Sequence, residues 1–404
     1  MKFIAVVFVV LYLYSLSYGI FMTDFFRIPT PLIFCLPLVF LFREKDGIGF
    51  LYKQELILLV GAMFLYNVIG FSEYMVFIAN AICVGMCAIY FNYFVGLDAK
   101  RFAISIYVFI AFLTFSAIVM VFNPFYFTEI NNLRSMLMGE PVVQSPSGIA
   151  TYQFNFGYQL AALVPFLVIY TFAFKKAFLI KILSLLACLL FIYLGMQRSV
   201  LVGFVFSVFL FLILYYNYKA IFIVVFAACA AFVFYTYILK DNTDTYNNIL
   251  TKNEHNMEEY NRSTLAAENL RIYSEYPYGL IFYGKDWSDV TYRNEVFSSG
   301  LTSHNAYLMF LTYVGPFLGL GILGGLYYKV GRIIINAFRN VKKTEYALMI
   351  CLCCSFIAVS INSLSHNSWL VSANGPTFFL YFAILHLNFM LNREAEVEVH
   401  TGLN

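Results

Sequence analysis

The chain has 404 residues, of which 62% are hydrophobic and 12% are charged, and its formal net charge is +3. Soluble domains carry roughly 25% charged residues, so the composition excludes an ordinary water-soluble protein and indicates one that is solvated mostly by lipid. The small net charge gives no reason to expect a nucleic-acid partner.

Twelve apolar runs approach the ~20 residues that a helix needs to cross the hydrocarbon layer of a membrane. They lie near 3–22, 28–42, 54–71, 74–96, 102–122, 157–174, 178–195, 199–216, 220–239, 305–327, 344–362 and 375–391. The sequence therefore predicts an all-α fold, a polytopic membrane helix bundle with about twelve spans. Residues 1–20 also fit a cleaved signal peptide, whose removal would not change the sidedness of the later helices.

These runs divide the chain into four parts. Residues 1–239 hold the first nine spans, with an outer loop at 123–156, and residues 240–304 form a large, partly helical loop. Residues 305–391 hold the last three spans, and 392–404 form a tail. A loop of that length is typically functional, since structureless connections beyond roughly 12–15 residues are uncommon.

The basic residues are distributed unevenly between alternate loops. If Met1 is cytoplasmic, sixteen of the 25 Lys and Arg residues lie on the cytoplasmic side and fourteen of the 22 acidic residues lie on the outer side. Positively charged loops stay in the cytoplasm. We therefore expect both termini in the cytoplasm of a bacterial cell and the loop at 240–304 on the outer, periplasmic face of the inner membrane.

The eight cysteines lie almost wholly within apolar runs and are expected to pack as small apolar side chains. The acidic residues of the long outer loop are scattered, without the spacing of a metal site, and no nucleotide-binding fingerprint is present. We expect neither a metal nor an organic cofactor.

A short turn separates the seventh and eighth runs and carries an arginine. It reads Gly195-Met-Gln197-Arg198-Ser199. An arginine at the mouth of two hydrophobic helices either extends to the membrane surface or serves a function. Its planar fork suits a phosphate, so Arg198, with Gln197 beside it, is a candidate anion-binding residue.

The long outer loop contains a predicted helix at Arg262–Tyr276. Ala266, Leu270 and Tyr273 recur at i, i+4 and i+7 and predict its packing face, which Arg262 leads. Pro277-Tyr278-Gly279 is a typical helix stop.

His304 and Asn305 open the tenth apolar run, and Gly315 and Gly319 follow inside it. Small residues spaced about one turn apart permit close helix contact. The pKa of a free histidine, about 6.5, suits proton transfer near neutrality, so His304 is a candidate base. A second Ser-His-Asn, which includes His366, is more typical of an ordinary polar loop.

Three patterns on the predicted outer side occur in a fixed order. They are Gly195-x-x-Arg198-Ser199, Arg262 with Pro277-x-Gly279 fifteen residues later, and His304-Asn305-x9-Gly315. Together they resemble the bacterial O-antigen polymerase and O-antigen ligase superfamily, with the sharp signals confined to about Leu194–Gly319. The resemblance implies a GT-C-like bundle, a large periplasmic loop late in the chain, and glycosyl transfer from undecaprenyl-diphosphate-linked glycans.

The resemblance also implies roles for individual residues. Arg198 and Arg262 would hold the diphosphate, with Arg271 as a further candidate for this role. His304 would be the general base. Asn305, Gln197 and Tyr278 are the remaining candidates for substrate binding.

One position departs from the ligase pattern, because Leu318 stands where ligases tend to have glycine. This favours a metal-independent polymerase of surface polysaccharide, with a ligase that transfers glycan to the lipid A core as the alternative. The expected partners are the lipid-linked oligosaccharide, membrane lipid and a candidate chain-length regulator. A lipid-linked oligosaccharide flippase is a further alternative, although the sequence lacks the internal repeat common in transporters.

Overall fold

The computed structural model describes residues 3–21, 28–43, 49–174, 177–222, 225, 262–291, 304–366, 368–370 and 372–401. All regular structure in this part of the chain is helical, which confirms the predicted all-helical class. The predicted ninth span at 220–239 and the loop at 240–261 lie largely or wholly outside these residues.

The helices are numbered here in chain order. They are α1 (Phe3–Tyr18), α2 (Thr30–Phe42), α3 (Lys53–Gly70), α4 (Tyr74–Val95), α5 (Ala99–Phe122), α6 (Phe127–Met138), α7 (Gln153–Phe174), α8 (Phe178–Leu194), α9 (Arg198–Tyr216), α10 (Arg262–Glu275), α11 (Trp287–Thr291), α12 (Ala306–Val314), α13 (Pro316–Arg339), α14 (Ala347–Asn362) and α15 (Gly375–Thr401). Both α3 and α4 end in a wider π-helical segment, Phe64–Gly70 and Tyr90–Val95.

Seven helices within the described residues are long and apolar enough to cross a membrane: α3, α4, α5, α7, α9, α13 and the segment Thr344–Ser365 that contains α14. Three shorter apolar helices, α1, α2 and α8, coincide with further predicted runs. Large apolar side chains lie exposed on the outward faces of these helices, as in Phe40, Met75, Phe178 and Phe317, each more than 70% exposed. A surface of this kind is solvated by lipid, so the chain is a helical membrane protein.

The tenth predicted run, 305–327, is not one helix. It is divided at Gly315, whose φ of 86° lies outside the helical range, into α12 and α13. Hydropathy alone misses this break because both helices are apolar. The loop at 123–156 also contains a helix that the sequence did not predict, α6, which ends at Gly139 in the left-handed conformation.

The described residues form two compact units. The first comprises Met1–Leu113, Asn261–Ile333 and Ser363–Asn404, and the second comprises Thr114–Tyr260 and Ile334–Asn362. All seven cysteines within the described residues are buried and none forms a disulfide, which confirms their predicted packing role.

In the first unit, a buried histidine joins three helices. His386 of α15 is fully buried, with Nδ1 2.5 Å from the hydroxyl of Tyr52 and Nε2 2.6 Å from the carbonyl oxygen of Gly96. Tyr52 immediately precedes α3, and Gly96 immediately follows α4. Nε2 therefore carries a proton, because the carbonyl oxygen can only accept.

In the second unit, α7, α9 and α14 pack against one another. Small residues let α9 and α14 approach closely, since a Cβ on Gly203 would lie 2.9 Å from the carbonyl oxygen of Ala358. This is the packing expected between membrane helices, where contact between small residues replaces the hydrophobic effect.

Candidate functional site

Helix α10 forms where the sequence predicts it, but its packing face is only partly the predicted one. Asn269 and Ile272 are fully buried, whereas Leu270, which was expected to face inward, is 67% exposed. Arg262 is the first residue of α10, and its side chain lies outside the described part. The prediction of the helix is confirmed, whereas the prediction of its face is wrong at Leu270 and holds at Tyr273, which is half-buried.

The reason for the change of face is a polar lock between α10 and α12. The hydroxyl of Thr312 donates to Asn269 Oδ1 at 2.5 Å, and the hydroxyl of Tyr273 donates to the carbonyl oxygen of Leu308 at 3.1 Å. A buried amide needs a partner, and Thr312 supplies it. The loop helix is therefore bonded to the helix that begins just after His304.

The Pro277-x-Gly279 turn touches the break between α12 and α13. A Cβ on Gly279 would lie 2.2 Å from the amide nitrogen of Gly315, and a Cβ on Gly315 would lie 2.1 Å from the carbonyl oxygen of Tyr278. Both glycines have positive φ, 97° and 86°. Only glycine fits such a close approach in this conformation. We call this contact the glycine joint.

An aromatic anchor holds the helix side of the joint. The buried ring of Tyr313 lies between Tyr66 and Phe71, with centroid distances of 5.0 and 4.7 Å. Its hydroxyl accepts the backbone N–H of Trp287 at 3.0 Å. One side chain thus ties α3, α12 and the loop segment that opens α11.

His304 and Asn305 divide two tasks at the start of α12. Asn305 is the N-cap, and its Oδ1 accepts the N–H groups of Tyr307 and Leu308 at 3.0 and 3.1 Å. His304 precedes the cap, is exposed, and has a positive φ of 47°. The imidazole is therefore presented at the surface beside a rigid helix end.

Arg271 and Tyr278 differ in what surrounds them. Arg271 pairs with Glu268 and Glu275 at 2.5 and 2.6 Å, and it also donates to the carbonyl oxygen of Val290. The hydrogen bond to Glu268 is the main cause that raises the pKa of Arg271 above its ordinary value. Tyr278 is 64% exposed beside the glycine joint. Arg271 thus has a local stabilising role, whereas the ring of Tyr278 faces outward.

The other two predicted site residues, Gln197 and Arg198, lie in the second unit. Gln197 is buried, and its Nε2 donates to the carbonyl oxygen of Gln153 at 3.0 Å. Its Oε1 lies against Gly157, where a Cβ would approach it to 2.9 Å. Arg198 is exposed and begins α9. Gln197 therefore fixes the turn, and Arg198 extends from it.

Sequence reasoning missed Asn362, which ends α14 next to this turn. Its Oδ1 accepts the hydroxyl of Ser199 at 2.7 Å, while its Nδ2 is buried with no hydrogen-bond partner among the described residues. Two further contacts continue the line, Gly203 on Ala358 and the hydroxyl of Ser207 on the carbonyl oxygen of Cys354 at 3.1 Å. The partners step by four residues in opposite directions, so α9 and α14 are antiparallel. We call these contacts the α9–α14 ladder.

Arg134, on α6, was also missed as a structural centre. It is fully buried and donates to Ser145 Oγ at 2.7 Å, to Asn131 Oδ1 at 2.9 Å and to two backbone carbonyl oxygens of the loop before α7. Burial lowers the pKa of Arg134 to about 10, so the guanidinium remains charged at neutral pH. Arg134 therefore organises the loop that leads to Gln153.

The structure thus places five predicted residues in the first unit, namely Arg262, Arg271, Tyr278, His304 and Asn305, and two in the second. Within the described ranges, no three His, Cys, Asp or Glu side chains come close enough together to hold a metal ion. No protein-family model matches this chain. No curated protein sequence matches it either.

Proposed function

We propose that this protein is a membrane-embedded glycosyltransferase that joins undecaprenyl-diphosphate-linked repeat units into a surface polysaccharide, an O-antigen polymerase. The donor is already activated, because its sugar leaves as a lipid diphosphate. The protein needs to position two lipid-linked substrates, neutralise the diphosphate and accept one proton.

The observation that carries this proposal is the glycine joint. Gly279 and Gly315 belong to two of the three patterns that resemble the polymerase and ligase superfamily, and they are 36 positions apart in the chain. Their backbones are in contact. Residues that resemble a family motif only by chance would have no reason to meet in this way, so the contact supports the resemblance.

The polar lock extends this support to the proposed reactive groups. Arg262 lies seven residues before Asn269 in α10, and His304 lies eight residues before Thr312 at the start of α12. Since Asn269 and Thr312 are hydrogen-bonded, residues 262 and 304 each lie about two helical turns along the backbone from one shared contact.

The proposed chemistry uses three side chains. The acceptor hydroxyl oxygen attacks the anomeric carbon of the donor, and the bond from that carbon to the diphosphate oxygen breaks. The hydroxyl proton passes to the imidazole of His304, and arginine side chains, for which the resemblance implies Arg262 and Arg198, neutralise the lipid diphosphate that leaves. Direct attack inverts the configuration at the anomeric carbon. No metal enters this scheme.

The proposal includes a finer topology. It has twelve spans, which rest on the apolar runs, in the GT-C-like bundle that the resemblance implies. The distribution of basic residues supports cytoplasmic termini and a loop at 240–304 on the periplasmic face of the inner membrane. A polysaccharide chain-length regulator is the proposed protein partner.

The test uses purified protein in lipid nanodiscs with an undecaprenyl-diphosphate-linked repeat unit, without metal or nucleotide. We expect a ladder of products that is lost in Arg262→Ala and in His304→Ala. Lys285→Ala is the matched control for the arginine, because Lys285 is an exposed cation of the same loop. His366→Ala is the matched control for the histidine, and both controls should retain the ladder.

The alternatives give different results in the same assay. Transfer that appears only after lipid A core is added would make the protein the ligase. Movement of the lipid-linked unit across the bilayer without any new glycosidic bond would make it a flippase and would refute the proposed chemistry.

A further inference from the structure

The start of α9 leaves a strong donor without an acceptor. Asn362 is fully buried, and its Nδ2 has no hydrogen-bond partner among the residues that the structure describes. A buried amide hydrogen without a partner costs roughly as much as a lost hydrogen bond, so such groups are rare without a functional or structural reason. The orphan donor therefore requires an explanation.

The orientation of this amide is fixed. Its Oδ1 accepts the hydroxyl of Ser199, the second residue of α9, at 2.7 Å, and therefore the NH₂ group is held next to the first turn of that helix. The α9–α14 ladder below it prevents α14 from sliding, since Gly203 and Ala358 are in backbone contact. The donor is thus held in position.

The first turn of α9 also lacks an acceptor from its own cap. The first N–H groups of an α-helix have no partner within the helix and carry partial positive charge. Gln197 occupies the N-cap but makes no side-chain hydrogen bond to the turn; its Nε2 donates to Gln153, and its Oε1 lies against Gly157. In α12, by contrast, Asn305 fills the equivalent position.

Three kinds of donor therefore meet at one helix end: the amide of Asn362, the backbone of the first turn, and the exposed cation of Arg198. A group that accepts from all of them is an anion with several oxygens, and phosphate fits best. A neutral sugar hydroxyl would accept from the amide but would not neutralise the charge of Arg198.

We infer that Asn362 and the first turn of α9 form a phosphate-binding site, in which the Asn362 amide donates to a phosphate oxygen of the lipid diphosphate that Arg198 neutralises. The inference rests on the proposed function for the identity of the lipid and adds Asn362 as a binding residue. Ser199 is a positioning residue, because it orients the amide and its own hydroxyl is used for that purpose.

The test measures binding without requiring turnover. Wild-type protein in phosphatidylcholine nanodiscs is titrated with undecaprenyl diphosphate, with inorganic pyrophosphate and with phosphatidylglycerol. Asn362→Asp replaces the donor by an acceptor of the same shape, and we expect it to weaken diphosphate binding about ten- to hundredfold. Asn217→Asp makes the same change at the exposed C-terminal end of α9 and should leave binding unchanged.

Additional variants separate binding from folding. Ser199→Ala retains the Asn362 amide but releases its orientation, so a smaller loss of affinity is expected. Thermal unfolding of each variant without ligand reports on folding. A rise in the wild-type unfolding temperature with pyrophosphate that is absent in Asn362→Asp would support the site even if that variant is less stable.

The outcomes distinguish this inference from the proposed function. Equal diphosphate affinity in wild type and Asn362→Asp would overturn the inference. A product ladder in the same preparations would still support the proposed polymerase activity. Lost binding in Asn362→Asp, together with no sugar transfer by wild type, would support the site and refute the polymerase. Competition by phosphatidylglycerol at equal strength would assign the site to a general phospholipid headgroup and overturn the lipid diphosphate as its ligand.

Discussion

Replacing Gly315 by alanine should open the glycine joint. The new Cβ would lie 2.1 Å from the carbonyl oxygen of Tyr278, whereas a carbon–oxygen contact needs about 3.3 Å. The backbones would have to separate by roughly 1 Å, and overpacking of this kind costs about 1–3 kcal/mol. The φ of 86° and ψ of 151° add about 1–3 kcal/mol for any residue with a side chain.

The expected cost is therefore about 2–6 kcal/mol, which corresponds to at least a ~30-fold rise in local opening. Hydrogen exchange of the Trp287 amide reports it directly, because this amide donates to Tyr313 across the joint. Gly321→Ala is the control, since a Cβ there meets nothing within 4 Å and alanine in a helix gains about 0.5–1 kcal/mol. Unchanged Trp287 protection in Gly315→Ala would show that the joint is not a tight contact.

Three further substitutions or conditions test other parts of the structure. Asn305→Ala should weaken the first turn of α12 by about 1 kcal/mol, seen as faster exchange of its amides, while Asn305→Asp keeps the cap and should exchange like wild type. His386→Phe leaves the hydroxyl of Tyr52 and a carbonyl oxygen without their partner, so the thermal unfolding temperature should fall by more than in His386→Gln. Hydrogen bonding from Ser288 lowers the pKa of Asp286, so the turn that opens α11 should be stable above about pH 4 and weaken as acid protonates that carboxyl. The fluorescence of Trp287, measured in a Trp369→Phe background, should change as the turn weakens. The change should be absent after Asp286→Asn.

Local chemistry made α10 predictable, and a distant contact made its packing face unpredictable. Pro277 and Gly279 mark the end of the helix within a few residues, so the sequence is sufficient for its extent. The buried face depends on Asn269, whose partner Thr312 is 43 residues later in the chain. Apolar periodicity favoured Leu270 because it counts only apolar side chains. It therefore overlooks a buried polar side chain such as Asn269, which has a hydrogen-bond partner.

The helix break at Gly315 shows a similar limit. The run at 305–327 is apolar throughout, and hydropathy reports only that it is suited to a membrane. The break lies where Pro316 follows Gly315, and the backbone of Tyr278 and Gly279 occupies the space beside it. Gly315 does allow a close backbone contact, as predicted. The segment that it contacts is a loop and not another helix.

Two structural centres gave no usable signal in the sequence. Asn362 is a single polar residue at the end of an apolar run, and many such residues only mark the membrane surface. Arg134 bonds largely to backbone carbonyl oxygens, which every residue has, so its role depends on how the loop folds around it. Among the residues predicted for the site, the structure supplies a cap role for Asn305 and a turn role for Gln197.

The α9–α14 ladder makes the site in the second unit sensitive to insertion and tolerant of loop length. Each residue added to a helix rotates everything beyond it by about 100° and shifts it by 1.5 Å. One residue inserted between Ser199 and Ser207, or between Cys354 and Asn362, would turn the pair at the membrane surface away from each other. Loops before α9 and after α14 can grow or shrink without this effect, so homologous chains should conserve the number of residues in these two segments more strictly than the length of either loop.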